Sequence, residues 1–435
     1  MSKKLYLRSL GCTKNLVDSE VMLGQLSDHE IVQSPVNADV IILNTCGFIG
    51  AAKKESLEAI FEIHENRSED SIFVVSGCLT QRYQKELAGE LPEVDIFTGV
   101  GDYGRIRDLI DKKQNIFSPA TFLIQNEERV VSNSNYHAYI KLSEGCNQQC
   151  SFCAIPGFKG KLNSRDLETI TSEVKRLVAR GFFDFTFISQ DSSSFLRDKK
   201  NKEGLISLID AIEDIAGVKS ARIFYLYPTT TSNELIEHIA KSKVFHNYFD
   251  MPIQHISSSL LKNMKRGAGT SRIKEQLSLM RATPNSFLRS TFIVGHPGES
   301  EEDFEELVAF MDEFDFDRVN VFAYSDEEGT PAFNYQNKVD EDTINSRIDK
   351  LNEVIKRKYL ANLESYKNKT IDIVIDGESS EGEFFFGAKA LNWAPDIDGE
   401  ILINESDVKD LKMGQIYKAN ISDIAGDKLL AKVIS

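Results

Sequence analysis

The chain has 435 residues, enough for two or three domains, and its 41% hydrophobic and 27% charged residues exclude an extensively disordered protein. Its net charge of -16, from 51 basic and 67 acidic residues, excludes attraction to nucleic acid by overall charge and favours a basic partner. No signal-peptide pattern is present, and no apolar run approaches the roughly 18–20 residues that span a bilayer. We therefore expect a cytoplasmic protein without membrane contact, in which thiols stay reduced.

The first predicted domain, residues 1–125, repeats a short apolar run followed by a helical stretch. Three of its four apolar runs end at a cysteine, namely Cys12, Cys46 and Cys78, and the fourth run, 94–100, has none. The helical stretches are predicted to begin near Val17, Ala51 and Gln81. This alternation predicts a parallel sheet, whose ligands bind at the carboxyl ends of the strands. We expect the three thiols to meet there; the alternative is three separate buried thiols.

The second predicted domain, residues 132–368, follows a linking segment (113–136) with weak strand character. It contains six apolar runs with room for a helix between each pair: 137–145, 184–191, 221–228, 248–255, 286–299 and 317–329. Six strand–helix units are too few for a closed eightfold barrel, so they predict a partial (β/α)6 barrel. Polar residues gather at the carboxyl ends of these runs, where barrel active sites lie: 146–153, Gln190, Asp191, Tyr227, Gln254, His255, Glu299 and 326–328.

A long charged amphipathic helix is predicted over 340–368, and a short β-rich domain over 369–435. Alternating apolar residues and turn signals in this last part predict a small antiparallel β-barrel. From Thr370 onward there are 13 acidic and 6 basic residues, a net charge of -7. Such a surface suits a basic protein better than RNA.

The strongest chemical signal is the C-x3-C-x2-C group formed by Cys146, Cys150 and Cys153. Structural zinc requires four ligands, usually in two pairs, and no fourth cysteine follows here. A [4Fe–4S] cluster held by three thiolates keeps one iron open for a ligand that the protein does not supply. The spacing therefore favours such a cluster, with zinc or a redox dithiol as the alternatives.

The spacing, with Phe152 before the last cysteine, resembles the radical S-adenosylmethionine superfamily, in which the open iron binds S-adenosylmethionine. The resemblance to its methylthiotransferase family covers almost the whole chain, in GCTKNLVDSEVMLGQL (11–26), NTCGFIGAAKKES (44–56), SGCLTQRY (76–83), CSFCAIP (150–156), SQD (189–191), YLYP (225–228), DMPIQH (250–255), IVGHPGE (293–299), SDEEGTPA (325–332) and APDIDG (394–399). The family implies an N-terminal cluster domain, a radical-SAM barrel and a C-terminal TRAM barrel.

The resemblance implies two [4Fe–4S] clusters, one on Cys12, Cys46 and Cys78 and one on the C-x3-C-x2-C group, together with S-adenosylmethionine and an electron donor. GCTKN and NTCGFI favour the type that adds a methylthio group to the β-carbon of an aspartate in small-subunit ribosomal protein twelve, free or within the ribosomal subunit. One alternative is the type that modifies tRNA adenosine. A more distant alternative is a non-catalytic iron–sulfur carrier.

Four further residues are candidate cofactor contacts: Phe152, Gln190, Gly295 and Arg165. The alternative for Gln190 is strand capping, and for Gly295 a bare tight turn that lets backbone approach a neighbour. Three positions depart from the family pattern, with Lys159, Asn163 and His296 where other residues are common. For His296 we expect a partly exposed loop histidine at least as readily as a catalytic one.

Overall fold

The computed structural model describes residues 2–120, 122–125 and 127–434. Its N-terminal unit alternates strands and helices: β1 (Lys4–Ser9), α1 (Thr13–Gln25), β2 (Glu30–Ile31), β3 (Val40–Thr45), α2 (Gly50–Asn66), β4 (Ile72–Gly77), α3 (Cys78–Arg82), α4 (Gln84–Glu90), β5 (Ile96–Phe97) and α5 (Ile106–Lys112). The five strands pair in parallel in the order β2-β1-β3-β4-β5, which confirms the predicted α/β sheet.

Burial on both faces explains the apolar runs of this sheet. Every residue of β3 (VIILNT) is buried, as expected for a central strand covered by helices on each side. Each of the three cysteines follows its strand within a few positions. The helices begin earlier than predicted, at Thr13, Gly50 and Cys78, because each strand turns into its helix within a short loop.

The second unit is an open, six-stranded parallel barrel. Its elements are β6 (His137–Lys141), β7 (Ser143–Glu144), α6 (Ile155–Lys159), β8 (Asn163–Ser164), α7 (Leu167–Ala179), β9 (Asp184–Ile188), α8 (Gly204–Glu213), β10 (Ser220–Ile223), α9 (Asn233–Lys241), β11 (Phe245–Asp250), α10 (Ser258–Asn263), α11 (Thr270–Arg281), β12 (Phe287–Val294), α12 (Glu301–Glu313) and β13 (Arg318–Ala323). The sheet order β13-β12-β11-β10-β9-β6 follows the chain, and confirms the partial barrel.

The third unit follows a long helix, α13 (Glu341–Glu364). It is a closed barrel of five strands: β14 (Thr370–Ser379), β15 (Gly382–Ala390), β16 (Ile401–Ser406), β17 (Ile416–Ala425) and β18 (Lys428–Ile434). All neighbouring strands are antiparallel except β16 and β18, which pair in parallel. Neither α13 nor any other helix in the described part of the chain combines the length and apolarity needed to cross a membrane.

The linking segment (113–136) forms no strand within its described residues, but some of its side chains are buried. Among its described residues, the only β-pairing is an isolated bridge between Ile116 and Thr98. Ile124 is nevertheless buried, and the buried Arg129 forms ion pairs with Glu20 of α1 and Glu173 of α7. The segment therefore fastens the N-terminal unit to the barrel.

One apolar cluster includes residues from all three units. Val17 of α1 and the inward-facing Phe224, Tyr248 and Phe287 of the barrel pack with Trp393 of the C-terminal unit. The rings form a ladder: Phe224 and Tyr248 lie 5.4 Å apart, Tyr248 and Phe287 stack at 4.9 Å, and Phe287 lies 6.4 Å from Trp393. The interior of the partial barrel is thus filled by side chains.

Candidate active site

The loop between β7 and α6 carries the C-x3-C-x2-C group at the carboxyl ends of the barrel strands. Gly145 introduces this loop with a φ of +71°, and a Cβ atom there would collide with the Lys161 carbonyl, so glycine is required. Burial raises the pKa of Cys146 and of Cys153 to about 12, and the nearby Cys150 adds to both increases. Cys146, Cys150 and Cys153 thus stand in one short loop, and we call them the first three-thiol group.

Cys150 is the buried member of this group and has a fixed cation beside it. Arg266 Nη1 donates to Cys150 Sγ at 3.4 Å, and the Tyr227 hydroxyl lies 3.5 Å from the same sulfur. Arg266 is itself buried, stacks on the Tyr227 ring at 4.1 Å and donates through Nη2 to the Pro252 carbonyl. A guanidinium in this position compensates the negative charge that a thiolate ligand carries.

The arrangement bears on the choice between zinc and a cluster. In the described ranges, no group of three or more His, Cys, Asp or Glu side chains is arranged to hold a single metal ion. Structural zinc requires four ligands, whereas the C-x3-C-x2-C loop supplies three thiols. Three thiolates suit a [4Fe–4S] cluster that keeps one iron open, so the loop fits a cluster better than structural zinc. Its thiols must lose protons when metal binds.

The N-terminal cysteines lie at the ends of three strands that are neighbours in the sheet. A Cβ atom on Gly11 would lie 2.7 Å from Cys46 Cβ and 2.9 Å from its Sγ, so the loops after β1 and β3 are in contact. Burial raises the pKa of Cys78 to about 12; Lys159 opposes this increase, and Cys12 and Cys46 add to it. Solvent exposure decreases from Cys12, which is exposed, through Cys46 to Cys78, which is buried. All three follow neighbouring strands at one edge of the sheet, and we call them the second three-thiol group.

Asn15 joins the three cysteine loops of the N-terminal unit. Its Nδ2 donates to the carbonyls of Leu10 (2.9 Å) and Thr45 (3.0 Å), which precede Cys12 and Cys46. Its Oδ1 accepts from Cys78 Sγ at 3.9 Å. The side chain is buried, so one amide fixes the relative positions of all three loops.

A buried ion cluster lies between the two three-thiol groups. Lys159 Nζ lies 3.1 Å from Glu144 and 3.6 Å from Asp18 of α1, and Lys141 pairs with the same two carboxylates. Burial opposes the charge of Lys159, but Glu144, followed by Cys78, holds its pKa well above the ordinary value. Lys159 therefore links the cysteine loop of the barrel to the N-terminal unit, which accounts for a buried cation at this position.

Glu327, in the loop after β13, forms a second link between the units. Its carboxylate is buried and pairs with Lys53 of α2 at 2.9 Å and Arg82 of α3 at 2.7 Å. Arg82 also donates to the Gly47 carbonyl at 3.0 Å. Since Gly47 follows Cys46 and α3 begins at Cys78, Glu327 holds both loops against the barrel. The same segment after β13 also contacts the barrel cysteines. The Ala332 amide donates to the carbonyl of Ser151, which lies between Cys150 and Cys153, at 2.8 Å.

We expect Glu327→Gln to lower the free energy of unfolding by about 3–5 kcal/mol, because it leaves two cations facing each other without their buried carboxylate. In the metal-free chain, Cys46 and Cys78 should also react faster with a thiol-alkylating reagent. Urea unfolding and alkylation time courses measure the two effects. The matched control is Glu58→Gln, since Glu58 is exposed and pairs with the likewise exposed Lys54 at 3.8 Å; its effect should stay below about 0.5 kcal/mol. Equal behaviour of the two variants would contradict the assignment.

Two predicted cofactor contacts lie beside the barrel cysteines. The Oε1 atom of Gln190 is buried and lacks a hydrogen-bond partner in the described part of the chain, so it is available to a bound ligand. The capping role belongs instead to Asp191, which accepts from the Ser194 amide and from Gln148 Nε2. The ring of Phe152 packs edge-on against His296, with centroids 6.4 Å apart.

The other two predicted contacts have structural partners. The Gly295 amide donates to Glu299 Oε2 at 2.6 Å, and a Cβ atom at Gly295 would collide with Ile344 of α13. Arg165 is buried and pairs with Glu173 at 2.7 Å, whereas its Nε has no hydrogen-bond partner in the part of the chain that the structure describes. Both remain predicted cofactor contacts.

His296 is fully buried, so the expectation of a partly exposed loop histidine is wrong. Its Nε2 lies 3.0 Å from the Ser151 hydroxyl, behind the cysteine loop. Burial lowers the pKa of His296 to about 4, so the ring is neutral at pH 7. The third departure, Asn163, pairs with Glu144 across the short ladder of β7 and β8. These residues support the loop.

Three family models match successive parts of the chain. Residues 4–99 match the family model described as "Uncharacterized protein family UPF0004", residues 140–311 the radical SAM superfamily, and residues 369–434 the TRAM domain. A protein named "Ribosomal protein uS12 methylthiotransferase RimO", from a Nitratiruptor species, is 57% identical over 433 residues, which is 100% of both chains. The chain belongs to the RimO family of radical S-adenosylmethionine methylthiotransferases.

Other RimO-family proteins are equally similar. The protein of the same name from Campylobacter jejuni (strain RM1221) is 57% identical over 432 residues, 99% of this chain and 98% of its own. Membership makes the chain a transferase and implies S-adenosylmethionine and a [4Fe–4S] cluster as cofactors.

The fold of this RimO-family chain is also found among solved structures. The radical S-adenosylmethionine methyltransferase TsrM from Kitasatospora setae, solved with cobalamin and a [4Fe–4S] cluster bound, superposes with a TM-score of 0.57. The match covers 76% of this chain and 77% of TsrM at 15% identity. At that identity the two proteins share a fold, and the match carries no argument about substrate.

Proposed function

We propose that this chain adds a methylthio group to the β-carbon of an aspartate in small-subunit ribosomal protein twelve, using two [4Fe–4S] clusters. The observation that carries the proposal is the pair of three-thiol groups, each at the carboxyl ends of parallel strands and joined by the buried Lys159 and Glu327 links. Two such groups held together in one chain suit a reaction that needs both sulfur and a radical at one carbon.

The residues assign the two groups different tasks. Cys146, Cys150 and Cys153 would hold the cluster that binds S-adenosylmethionine, and Cys12, Cys46 and Cys78 would hold the second. When bound, the barrel cluster and S-adenosylmethionine would supply a radical that removes a hydrogen atom from the target carbon. The second cluster would supply the sulfur, and another S-adenosylmethionine would supply its methyl group. Gln190 and Phe152 would contact S-adenosylmethionine, together with Gly295 and Arg165.

The protein's own part is to hold the loops and compensate charge. Arg266 offsets negative charge at Cys150, and the neutral His296 supports the loop through Ser151 without adding charge. Asn15 fixes the loops of the second group. Because these side chains are buried and already hydrogen-bonded, they need little reorganisation when cofactor or substrate binds.

A basic protein substrate is supported by the surface of the C-terminal barrel. That barrel has a net charge of -7 from Thr370 onward and exposes three large apolar side chains, Phe384, Phe386 and Met413. An acidic surface with exposed apolar side chains is suited to binding a basic protein rather than the negatively charged backbone of RNA. We assign residues 1–125 to the second cluster, 132–368 to radical chemistry and 369–435 to substrate docking.

The reaction also requires an electron donor, and a ribosomal substrate places the enzyme in the cytoplasm. The acidic chain fits either the free protein or its exposed part in the assembled subunit.

The proposal is tested by anaerobic reconstitution with iron and sulfide, followed by iron quantitation and transfer assays. We expect about eight irons per chain, four for each cluster. Ribosomal protein twelve and tRNA are then offered side by side with S-adenosylmethionine and a chemical reductant, and mass spectrometry follows methylthio addition. Methylthio addition to tRNA alone would contradict the proposed substrate. A content of about four irons per chain would contradict the second cluster. Absence of S-adenosylmethionine cleavage would favour an iron–sulfur carrier.

A further inference from the structure

Lys14, at the start of α1, has no carboxylate partner among the described residues. It lies two residues after Cys12, and its Nζ sits 3.5 Å from the centroid of the Tyr225 ring. In the described part of the chain it belongs to no ion pair; Asp250 acts on it only at longer range. Its contact with Tyr225 brings the ammonium group from the N-terminal unit to the mouth of the barrel.

Tyr225 has an unusual backbone conformation where it meets Lys14. Its φ is +63°, and its amide donates to Asp250 Oδ2 at 3.0 Å. A tyrosine in the left-handed region is strained, and such strain is concentrated at binding and catalytic sites. The same short segment reaches Cys150 through Tyr227. Residues 225–227 therefore run between the neighbourhoods of the two three-thiol groups.

Arg289, on β12, lies beside the same carboxylate. Its Nη1 is 3.8 Å from Asp250 Oδ2, too long for a hydrogen bond, and its guanidinium stacks over the Phe224 ring at 5.5 Å. Its Nε and Nη1 atoms are buried and have no hydrogen-bond partner within the described ranges. Buried donors without acceptors are costly, so a guanidinium in this state is suited to an incoming acceptor.

Two carboxylates act on the pair of cations, Lys14 and Arg289: Asp250, beside both, and the buried Asp398, which acts on Arg289 and is shared with Arg318. With Arg318 included, the five groups carry three positive and two negative charges. The cluster thus keeps one positive charge, and Nε and Nη1 of Arg289 keep unused donors. A single carboxylate is the ligand that completes it, because it offers two acceptor oxygens and one negative charge.

We infer that Lys14 and Arg289 form the site that binds the side-chain carboxylate of the substrate aspartate. The inference rests on the proposed function and specifies how the target residue is recognised. A carboxylate held here leaves the adjoining β-carbon beside residues 225–227, within the region that the two three-thiol groups enclose. A nucleobase has no carboxylate to offer, so the same pair of cations selects against tRNA.

The test compares two forms of ribosomal protein twelve, one with the target aspartate and one with asparagine in its place. Binding of each labelled form to the reconstituted enzyme is measured by fluorescence anisotropy, for the wild type, Lys14→Met and Arg289→Gln. We expect the wild type to bind the aspartate form about tenfold more tightly, because only the aspartate offers a charged acceptor to the two cations. In Lys14→Met or Arg289→Gln this preference should largely disappear.

The ratio of the two affinities protects the test from folding defects. Incomplete cluster loading or local unfolding weakens both substrate forms alike and cancels in the ratio. Lys241→Met is the matched control, because this lysine is 78% exposed on α9, and it should keep the wild-type preference. An undiminished preference in both Lys14→Met and Arg289→Gln would overturn the inference. A wild type that never modifies the ribosomal protein would instead overturn the proposed function.

Discussion

Replacing Cys150 by alanine is expected to abolish cleavage of S-adenosylmethionine by the reconstituted enzyme. Cys150 is the buried thiol of its group, enclosed by Arg266 and Tyr227. Two remaining thiolates cannot retain a four-iron cluster securely, and no other cysteine of the described chain lies in this loop. Cleavage should fall at least roughly a hundredfold, since even residues that only support metal ligands change activity 10–100-fold. Chromatography of 5′-deoxyadenosine, with dithionite as reductant, measures it.

Iron quantitation shows whether the effect is specific. The variant should lose about four of eight irons and keep the other four, since the N-terminal thiols belong to a separate group. Its unfolding midpoint in the metal-free state should stay close to that of the wild type. Cleavage at the wild-type rate would show that the radical chemistry is located elsewhere.

Replacing Cys46 by alanine is expected to separate the two halves of the reaction. Cleavage of S-adenosylmethionine should continue near the wild-type rate, whereas methylthio transfer to the ribosomal protein should fall at least roughly a hundredfold. The reason is position: Cys46 contacts Gly11 in the N-terminal unit and belongs to a different loop from the barrel cysteines. Both products are measured in one reaction, 5′-deoxyadenosine by chromatography and the modified protein by mass spectrometry.

Gly11→Ala is a further variant for the same site. It keeps every thiol but places a methyl group 2.9 Å from Cys46 Sγ at a φ of +83°, so it should impair transfer in the same direction. If Cys46→Ala kept full transfer activity, the two-cluster model would be wrong.

The sheets, and the strand ends that the cysteines follow, could be predicted from the sequence. Short apolar runs that alternate with helical stretches indicate strands buried on both faces, and parallel connection puts their carboxyl ends at one edge of the sheet. Cys12, Cys46 and Cys78 therefore follow neighbouring strands although they are more than 30 residues apart in the chain. Cys146, Cys150 and Cys153 lie within eight consecutive positions, so their closeness follows from the sequence without knowledge of the fold.

The supporting residues could not be predicted in the same way. Arg266 lies in a loop (KRGAG) whose composition predicts only a turn, and its contact with Cys150 joins residues 116 positions apart. The sequence places Glu327 among the polar residues at the strand ends. Its pairing with Lys53 and Arg82 could not be predicted, because both belong to another unit. For His296 the sequence favours a partly exposed loop histidine. Its burial depends on packing against Tyr324 and Tyr335.

The aromatic ladder from Phe224 through Tyr248 and Phe287 to Trp393 has a consequence for how the molecule unfolds. These rings belong to two units, and Val17 of the third packs in the same cluster. Opening the C-terminal barrel alone would expose this surface to water, so its local opening should cost nearly as much as global unfolding. Amides in β14 to β18 should then exchange with solvent at rates close to those of the radical barrel, and heating should produce one cooperative transition rather than three.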